Sequence, residues 1–257
     1  MPYALITGAS KGIGKAIAFE LAKHNFNVLL TARSQNLLQN VAYEIKIKYA
    51  VQVAFLPLDL ATTGASEKLY NWCSENNYDV SVLINNAGFG LSGSLLNSSI
   101  EKNTNLIQLN IVTPTQLCQL FIPLLQKQKK GFIMNIASTA AYQSVPYLNV
   151  YSASKAYVKS FSRGLSLELA GTNISVTCIS PGPTDTDWAT TAAVPDKVLK
   201  MADKLNMQPT DVAERAVKAM FNKRTEMVPG IMNKLGVLMA WLLPKKIVER
   251  SVSNLYK

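Results

Sequence analysis

The chain has 257 residues, 48% of them apolar and 16% charged. The charged share lies well below the ~25% of ordinary domains, and the apolar share excludes disordered, collagen-like and low-complexity classes. Twenty-six basic against 16 acidic side chains leave +10, which invites an anionic partner: nucleic acid, acidic lipid or a phosphorylated small molecule.

In chain order, short apolar runs alternate with longer helical patterns. The runs Pro2–Thr7, Asn27–Thr31, Val51–Leu58, Val80–Ile84, Gly131–Ile136 and Ile174–Ile179 predict strands. They are apolar or β-branched throughout, as in parallel strands covered on both faces. Residues 12–25, 34–49, 62–77, 100–129 and 147–171 are long enough for crossover helices. The alternation predicts an α/β, doubly wound parallel sheet in three αβα layers with right-handed crossovers. No linker or repeat divides the chain, so 1–257 is expected to form one domain. After Trp188 the pattern turns helical, punctuated by Pro195, Pro209, Pro229 and Pro244, with one short strand over Thr225–Val228. This part, 188–257, is expected to supply a mobile substrate lid and C-terminal helices.

The rare residues exclude several chemistries. Cys73, Cys118 and Cys178 are isolated and form no CxxC pair, so buried thiols in a reducing compartment are expected. His24 is the one histidine. It has no GxSxG elbow to serve and no second imidazole to share a metal with. Neither a signal peptide nor a membrane span of ~20 apolar residues is present, and a cytoplasmic location is the expectation.

The first strand runs into Thr7-Gly8-Ala9-Ser10-Lys11-Gly12-Ile13-Gly14, and a helix follows. Glycines let the backbone approach a ligand, and the free N–H groups of the helix attract an anion. The spacing GxxxGxG differs from the GxGxxG of other dinucleotide sites. NAD-binding proteins usually place an acid at the end of the second strand. Here Arg33 and Ser34 stand instead, and Arg33 with Lys11 suits a 2′-phosphate, favouring NADP over NAD.

Tyr151 and Lys155 are i and i+4 on one helix face. A free phenol has a pKa of about 10, and a neighbouring ammonium favours its phenolate. Ser138 follows the fifth strand at its carboxyl end, where a hydroxyl can hold a carbonyl oxygen. Asn85-Asn86-Ala87-Gly88 ends the fourth strand in the same crevice. Asn110 lies in the next helix, where its amide could hold a water feeding protons to Lys155. Phe89, Tyr142, Tyr147 and Trp188 are candidates for an apolar pocket.

These motifs together resemble the short-chain dehydrogenase/reductase family, in its branch of about 250 residues. The matching residues are 7–14, Asp59, 85–88, Asn110, Ser138, 151–155, Pro181-Gly182 and Thr186, spanning 3–187. The resemblance implies a Rossmann-type fold and reversible hydride transfer between NADP(H) and an alcohol/carbonyl pair. It implies Tyr151 as general acid or base and Lys155 as the group lowering its pKa and binding the nicotinamide ribose. Ser138 would orient the substrate, and Asn110 would complete a proton relay. Gly8, Ser10, Lys11, Gly12, Ile13 and Gly14 would line the phosphates, with Arg33 and Ser34 around the 2′-phosphate. Asp59 and Leu60 would flank adenine, Asn85, Ala87 and Gly88 its ribose, and Pro181, Gly182, Thr184 and Thr186 the nicotinamide. It also implies a homodimer paired through the long helices at 100–129 and 147–171.

The tail Leu235–Leu243 is apolar on every face, and a helix of that kind must be buried in something. Residues 231–257 carry five basic side chains and one acidic. Packing over the substrate pocket or a second subunit is the leading expectation, and contact with anionic lipid the alternative. The tail is loosely similar to DltE-type reductases, which implies an apolar, acyl-like substrate. No basic helix or aromatic RNA platform accompanies the net charge, so nucleic acid is not expected. The reading is a reductase of a small apolar carbonyl; the alternative is an NADP-sensing protein without turnover.

Overall fold

A computed structural model describes residues 1–203 and 206–256. Seven parallel strands form one sheet: β1 (Tyr3–Thr7), β2 (Asn27–Ala32), β3 (Val53–Pro57), β4 (Val80–Asn85), β5 (Gly131–Ile136), β6 (Ile174–Ile179) and β7 (Glu226–Met227). Their order is β3-β2-β1-β4-β5-β6-β7. The winding direction therefore reverses between β1 and β4, and ligands in such sheets bind at the carboxyl ends beside that reversal.

The helices are α1 (Gly12–Lys23), α2 (Gln35–Lys48), α3 (Ala65–Glu75), α4 (Ile100–Ile107), α5 (Thr113–Gln126), α6 (Asn149–Glu168), α7 (Trp188–Thr191), α8 (Asp196–Asp203), α9 (Pro209–Phe221), α10 (Ile231–Leu242) and α11 (Lys245–Tyr256). Successive strand residues go to opposite faces. Ala4, Ile6, Val28, Leu30, Val82 and Ile84 meet α1, α2 and α9, while Leu5, Leu29, Leu83 and Ile133 meet α3, α5 and α6. The result is the predicted three-layer, Rossmann-type architecture.

The predicted helix over 100–129 divides. A π-helical segment, Gln108–Val112, separates α4 from α5 and carries buried Asn110. The wider turn inserts a residue into the helical repeat, a feature common at functional sites. Thr225–Val228 shortens to β7, in parallel register with β6 through Cys178 and Ile179. His24 pairs with Glu20 one turn earlier, at 3.2 Å. The three cysteines are free and buried.

The tail departs from expectation. α10 buries Asn233 and half-buries Val237 and Ala240, leaving its other large apolar side chains exposed. It packs along the 3-10 turn Thr139–Tyr142, while α11 closes against α8. Among the described residues no partner covers the outer face of α10. Among the described residues no helix is long and apolar enough to cross a membrane. Lys204 and Leu205, in the lid segment predicted over 188–207, lie outside the described residues.

A methyl group on Gly14 would collide with the carbonyl oxygen of Gly8 and the amide of Asn86. The oxygen is backbone and cannot swing away. Gly14→Ala is expected to lose ~1–3 kcal/mol in urea unfolding, the usual cost of overpacking; an unchanged midpoint would show that the turn has room.

Candidate active site

The site is built on a tie between the ends of β1 and β4. The Thr7 hydroxyl accepts the N–H groups of Asn86 and Ala87, each at 3.0 Å, and donates to the carbonyl of Ile84 at 3.2 Å. The Asn86 amide donates to the carbonyls of Thr7 and Gly8 at 2.9 and 3.2 Å. Gly8 and Gly12 have positive φ, 66° and 57°, which glycine adopts without steric cost. At the start of α1, Lys11 makes no side-chain cap, and the first turn contains no acid. Its leading N–H groups are thus left for an anion. With the glycine cradle, this fits the pyrophosphate of a dinucleotide. Ser10 and Ile13 are half-buried on the same turn.

The Lys11 ammonium, predicted to meet a phosphate, pairs here with Asp187 at 2.9 Å. Both side chains are exposed, so the pair contributes at most ~1 kcal/mol. Thr186 lies over Gly12: its Cγ2 is 3.1 Å from where a Cβ would sit. At the end of β2, Arg33 is exposed and enters no described ion pair, while Ser34 caps α2 through the Leu37 N–H. Asp59 turns its carboxylate onto the Ala61 N–H at 3.0 Å. Leu60 is buried, its carbonyl accepting from the Thr113 hydroxyl at 2.7 Å.

Two asparagine side chains are held by the protein itself. Asn85 does not aim its side chain at the crevice: it is buried, with Nδ2 donating to Asn135 Oδ1 at 2.8 Å. A strand residue facing the α5/α6 layer cannot also face a ligand, so any contact from Asn85 falls to its backbone. The tie is made by its neighbour Asn86, which sequence reasoning left unassigned although it stands in the same motif. Asn110 is equally committed. Its Nδ2 donates to Phe89 O and Ser154 Oγ, both at 3.0 Å, and its Oδ1 accepts the Phe89 N–H at 3.2 Å. Its amide holds the β4 loop onto α6 and makes no hydrogen bond to Lys155.

Tyr151 and Lys155 emerge from α6 into the crevice, 7% and 5% exposed. The Lys155 ammonium donates to Ile136 O at 2.8 Å and lies 5.7 Å from the centre of the Tyr151 ring. Gly88 makes room for this: a Cβ there would stand 3.0 Å from Asn110 Oδ1 and 3.3 Å from Lys155 Nζ. Burial pushes Tyr151 up to about 12, against a downward pull from its hydrogen bond with Ser138. Burial also lowers Lys155 to about 8. Burial is the dominant influence on this phenol. Withdrawal from water disfavours phenolate and ammonium alike, and Lys155 spends its hydrogen bond on a carbonyl.

Over the phenol lies an apolar cluster of Leu106, Val145, Leu148 and Tyr151, against which Phe89, Trp188, Val252 and Tyr256 pack. The Trp188 ring is 4.7 Å from that of Tyr151, and only glycine at position 90 admits it. Of the four predicted pocket aromatics, Phe89 and Trp188 are here. Tyr142 is not: its hydroxyl binds Glu226 and Ser180, and the Lys159 ammonium sits 3.9 Å from its ring centre. Tyr147 is outside this cluster, with φ 64° and its carbonyl accepting the Gly93 N–H at 2.7 Å.

The predicted segment after β6 borders the crevice. Pro181 is buried, Thr184 donates to Gly182 O at 3.0 Å, and the Asn233 amide rests directly on Gly182. Asn233, Val252 and Tyr256 carried no signal in the sequence, because only chain folding brings 231–257 back to this crevice.

The fold and this constellation define a dinucleotide-type oxidoreductase site. A profile of the short chain dehydrogenase family matches residues 2–197, and the chain belongs to that family. Among curated relatives, it is 34% identical to 17-beta-hydroxysteroid dehydrogenase type 3 of Mus musculus over 206 residues. That alignment covers 79% of this chain but 66% of the mouse protein. It is 32% identical to the ketoacyl reductase HetN of Nostoc sp., covering 98% and 87% of the two chains. A short-chain dehydrogenase from Sphingobium yanoikuyae, solved in complex with NADPH, superposes with a TM-score of 0.81 at 28% identity, covering 93% and 92%.

Buried Lys155 has a linkage signature. In the unfolded chain it titrates near 10.5, in the fold near 8. Between these values the unfolded state binds more protons, so stability rises with pH. The buried charge costs most below pH 8. Lys155→Met should gain on the parent at neutral pH and lose up to ~3 kcal/mol of that advantage as pH rises from about 8 to about 10.5. Urea unfolding of both proteins across this range is the check; a constant gap would mean the ammonium is solvated.

Proposed function

We propose that this protein is an NADP(H)-dependent oxidoreductase that interconverts an apolar carbonyl compound and its secondary alcohol, acting chiefly as a reductase. The observation that carries this is the grouping of buried Tyr151 and Lys155 with Ser138 at the carboxyl ends of the central strands, beside an uncapped glycine turn. When bound, NADPH supplies the hydride. The turn at 8–14 would hold its pyrophosphate, and Arg33 with Ser34 its 2′-phosphate, since no acid stands at the end of β2. Lys11 would join them by exchanging Asp187 for phosphate, at little cost for an exposed pair. Asp59 and Leu60 would border the adenine, the backbone of 85–88 its ribose, and Pro181, Gly182, Thr184 and Thr186 the nicotinamide.

The chain's own residues perform the proton chemistry. Ser138 stands close enough to Tyr151 to pull its pKa down against burial, so a substrate carbonyl oxygen set between them can receive both hydroxyls. Tyr151, held protonated by burial, gives its proton to that oxygen as the carbon becomes a carbinol. Lys155, as ammonium, balances the phenolate left behind. Asn110 is a positioning residue here, fixing the backbone of Phe89 against α6.

The substrate class follows from the cluster above the phenol, all apolar apart from tyrosine hydroxyls. The printed names of the relatives, a hydroxysteroid dehydrogenase and a ketoacyl reductase, agree with a bulky or acyl-type substrate. The same reading makes 1–257 one domain, with 188–257 supplying the substrate lid and C-terminal helices. It pairs subunits through the helices of 100–129 and 147–171, that is α4, α5 and α6, and on α6 Tyr157 and Leu167 are exposed. The free thiols favour a reducing cytoplasm.

NADPH consumption against a panel of apolar ketones and acyl thioesters tests the reading. Tyr151→Phe is expected to lose ~10²–10⁴-fold in turnover with NADPH binding retained; full activity in that variant would overturn the mechanism. Arg33→Ala should weaken NADPH about tenfold or more, the worth of a charge-assisted hydrogen bond, and leave NADH unchanged. Equal weakening of both would remove the NADP preference. For carbonyl reduction, kcat/KM should fall as pH rises through about 8, where Lys155 loses its proton well before Tyr151 does at about 12. A flat profile up to about pH 10 would separate the Lys155 charge from turnover.

A further inference from the structure

The tail departs most from ordinary surface composition. Asn233, Val237 and Ala240, at i, i+4 and i+7, form the inner stripe of α10. The opposite stripe is Ile231, Leu235, Leu238 and Leu242, with Trp241 beside it, and all five are exposed. Trp241 is 80% and Ile231 76% exposed. No polar side chain interrupts the four-residue stripe, and Lys234 stands at its edge between Leu238 and Trp241. A single exposed leucine is ordinary, whereas a continuous apolar helix face marks a surface that something covers.

The charges around the stripe identify what covers it. Lys234, Lys245, Lys246 and Arg250 are exposed on α10 and α11, and none enters a described ion pair. Glu249 is the one acid in 231–257. A two-fold interface through this face would set the patch against itself, cation against cation. An anionic bilayer instead offers hydrocarbon to the stripe and phosphate to the cations. α10 has 12 residues, too few to span a membrane, which needs about 20. It has the length, the tryptophan and the flanking lysines of a helix that lies in the plane of the interface.

We infer that the α10–α11 hairpin docks this protein onto an anionic lipid surface, α10 lying flat in the headgroup region with its Ile231–Leu242 stripe inward to the acyl chains. The hairpin's other side, Val252 and Tyr256 of α11, packs on the Tyr151 cluster. The roof of the candidate active site is thereby attached to the membrane-facing element. The docking stands independently of the catalytic reading, because its readout is partitioning and not turnover.

The test is co-sedimentation of the full chain with vesicles of phosphatidylcholine alone or mixed with phosphatidylglycerol, at low and high salt. The protein should pellet with the anionic vesicles at low salt, leave them as salt rises, and show a blue-shifted Trp241 emission that Trp241→Phe removes. Leu238→Gln/Trp241→Gln should reduce partitioning by about tenfold or more. Lys245→Gln/Lys246→Gln should remove most of the preference for anionic over neutral vesicles. All four positions are exposed, so melting temperatures should stay within a few degrees of the parent, and each pair checks the other if one does not fold. A parent protein that stays in the supernatant with anionic vesicles at low salt overturns the inference. So does a Leu238→Gln/Trp241→Gln protein that binds vesicles as the parent does but sediments as a smaller species, which would assign the face to a second copy.

Discussion

Two side chains at the ends of β1 and β4 hold the molecule in register. Parallel neighbours that leave a sheet in opposite winding directions expose backbone N–H and C=O groups at the point of divergence, and buried groups of that kind must find partners. Thr7 and Asn86 supply them. One hydroxyl accepts two N–H groups and donates to a carbonyl, and one amide spans two more carbonyls. With those groups satisfied, the glycine turn lies against the β4 loop with the Asn86 amide between them. The first N–H groups of α1 face outward beside the crevice, and α1 is set at the angle that lets it pack on α9. The crevice exists because this tie closes the sheet beneath it.

Burial then acts twice on one pair of groups. It raises the phenol of Tyr151 and lowers the ammonium of Lys155, so both are pushed toward their neutral forms. The network below is also buried: Asn85, Asn135, Ser162 and the Cys118 thiol hydrogen-bond among themselves under the crevice. Such networks are rigid where satisfied and costly where not, and here Asn85 Oδ1 is left without a partner. Here they fix the floor on which Ile136 O receives the lysine. The price of that arrangement is a charge kept out of water, borne because the surrounding core of Leu, Ile and Val is large.

Most of the framework was legible because it is local. Continuous apolar runs such as Val80–Ile84 read as doubly covered strands, and Tyr151 and Lys155 share a helix face by spacing alone. Gly8, Gly12 and Gly14 announced a turn where backbone must come close, and the structure puts the Asn86 amide and the Gly8 carbonyl there. What local pattern did not reveal is direction and long-range return. Asn85 and Asn86 are adjacent, and strand alternation sends one into the core and leaves the other at the tie. Asn110 lies in a π-helical turn that no periodicity revealed, so its amide meets Phe89 and Ser154.

By itself, the sequence determined the sheet, the glycine turn, the i, i+4 pair and the family to which the chain belongs, since each rests on neighbours within a few residues. Tertiary structure alone decided three things. It turned Tyr142 away to Glu226, because the 3-10 turn after Ser138 points its side chain toward β7. It brought Val252 and Tyr256 back over Tyr151, a contact across a hundred residues that no local pattern encodes. And it left α10 exposed where its composition called for burial, because only one stripe of a helix can face the fold and this helix is apolar on the others as well.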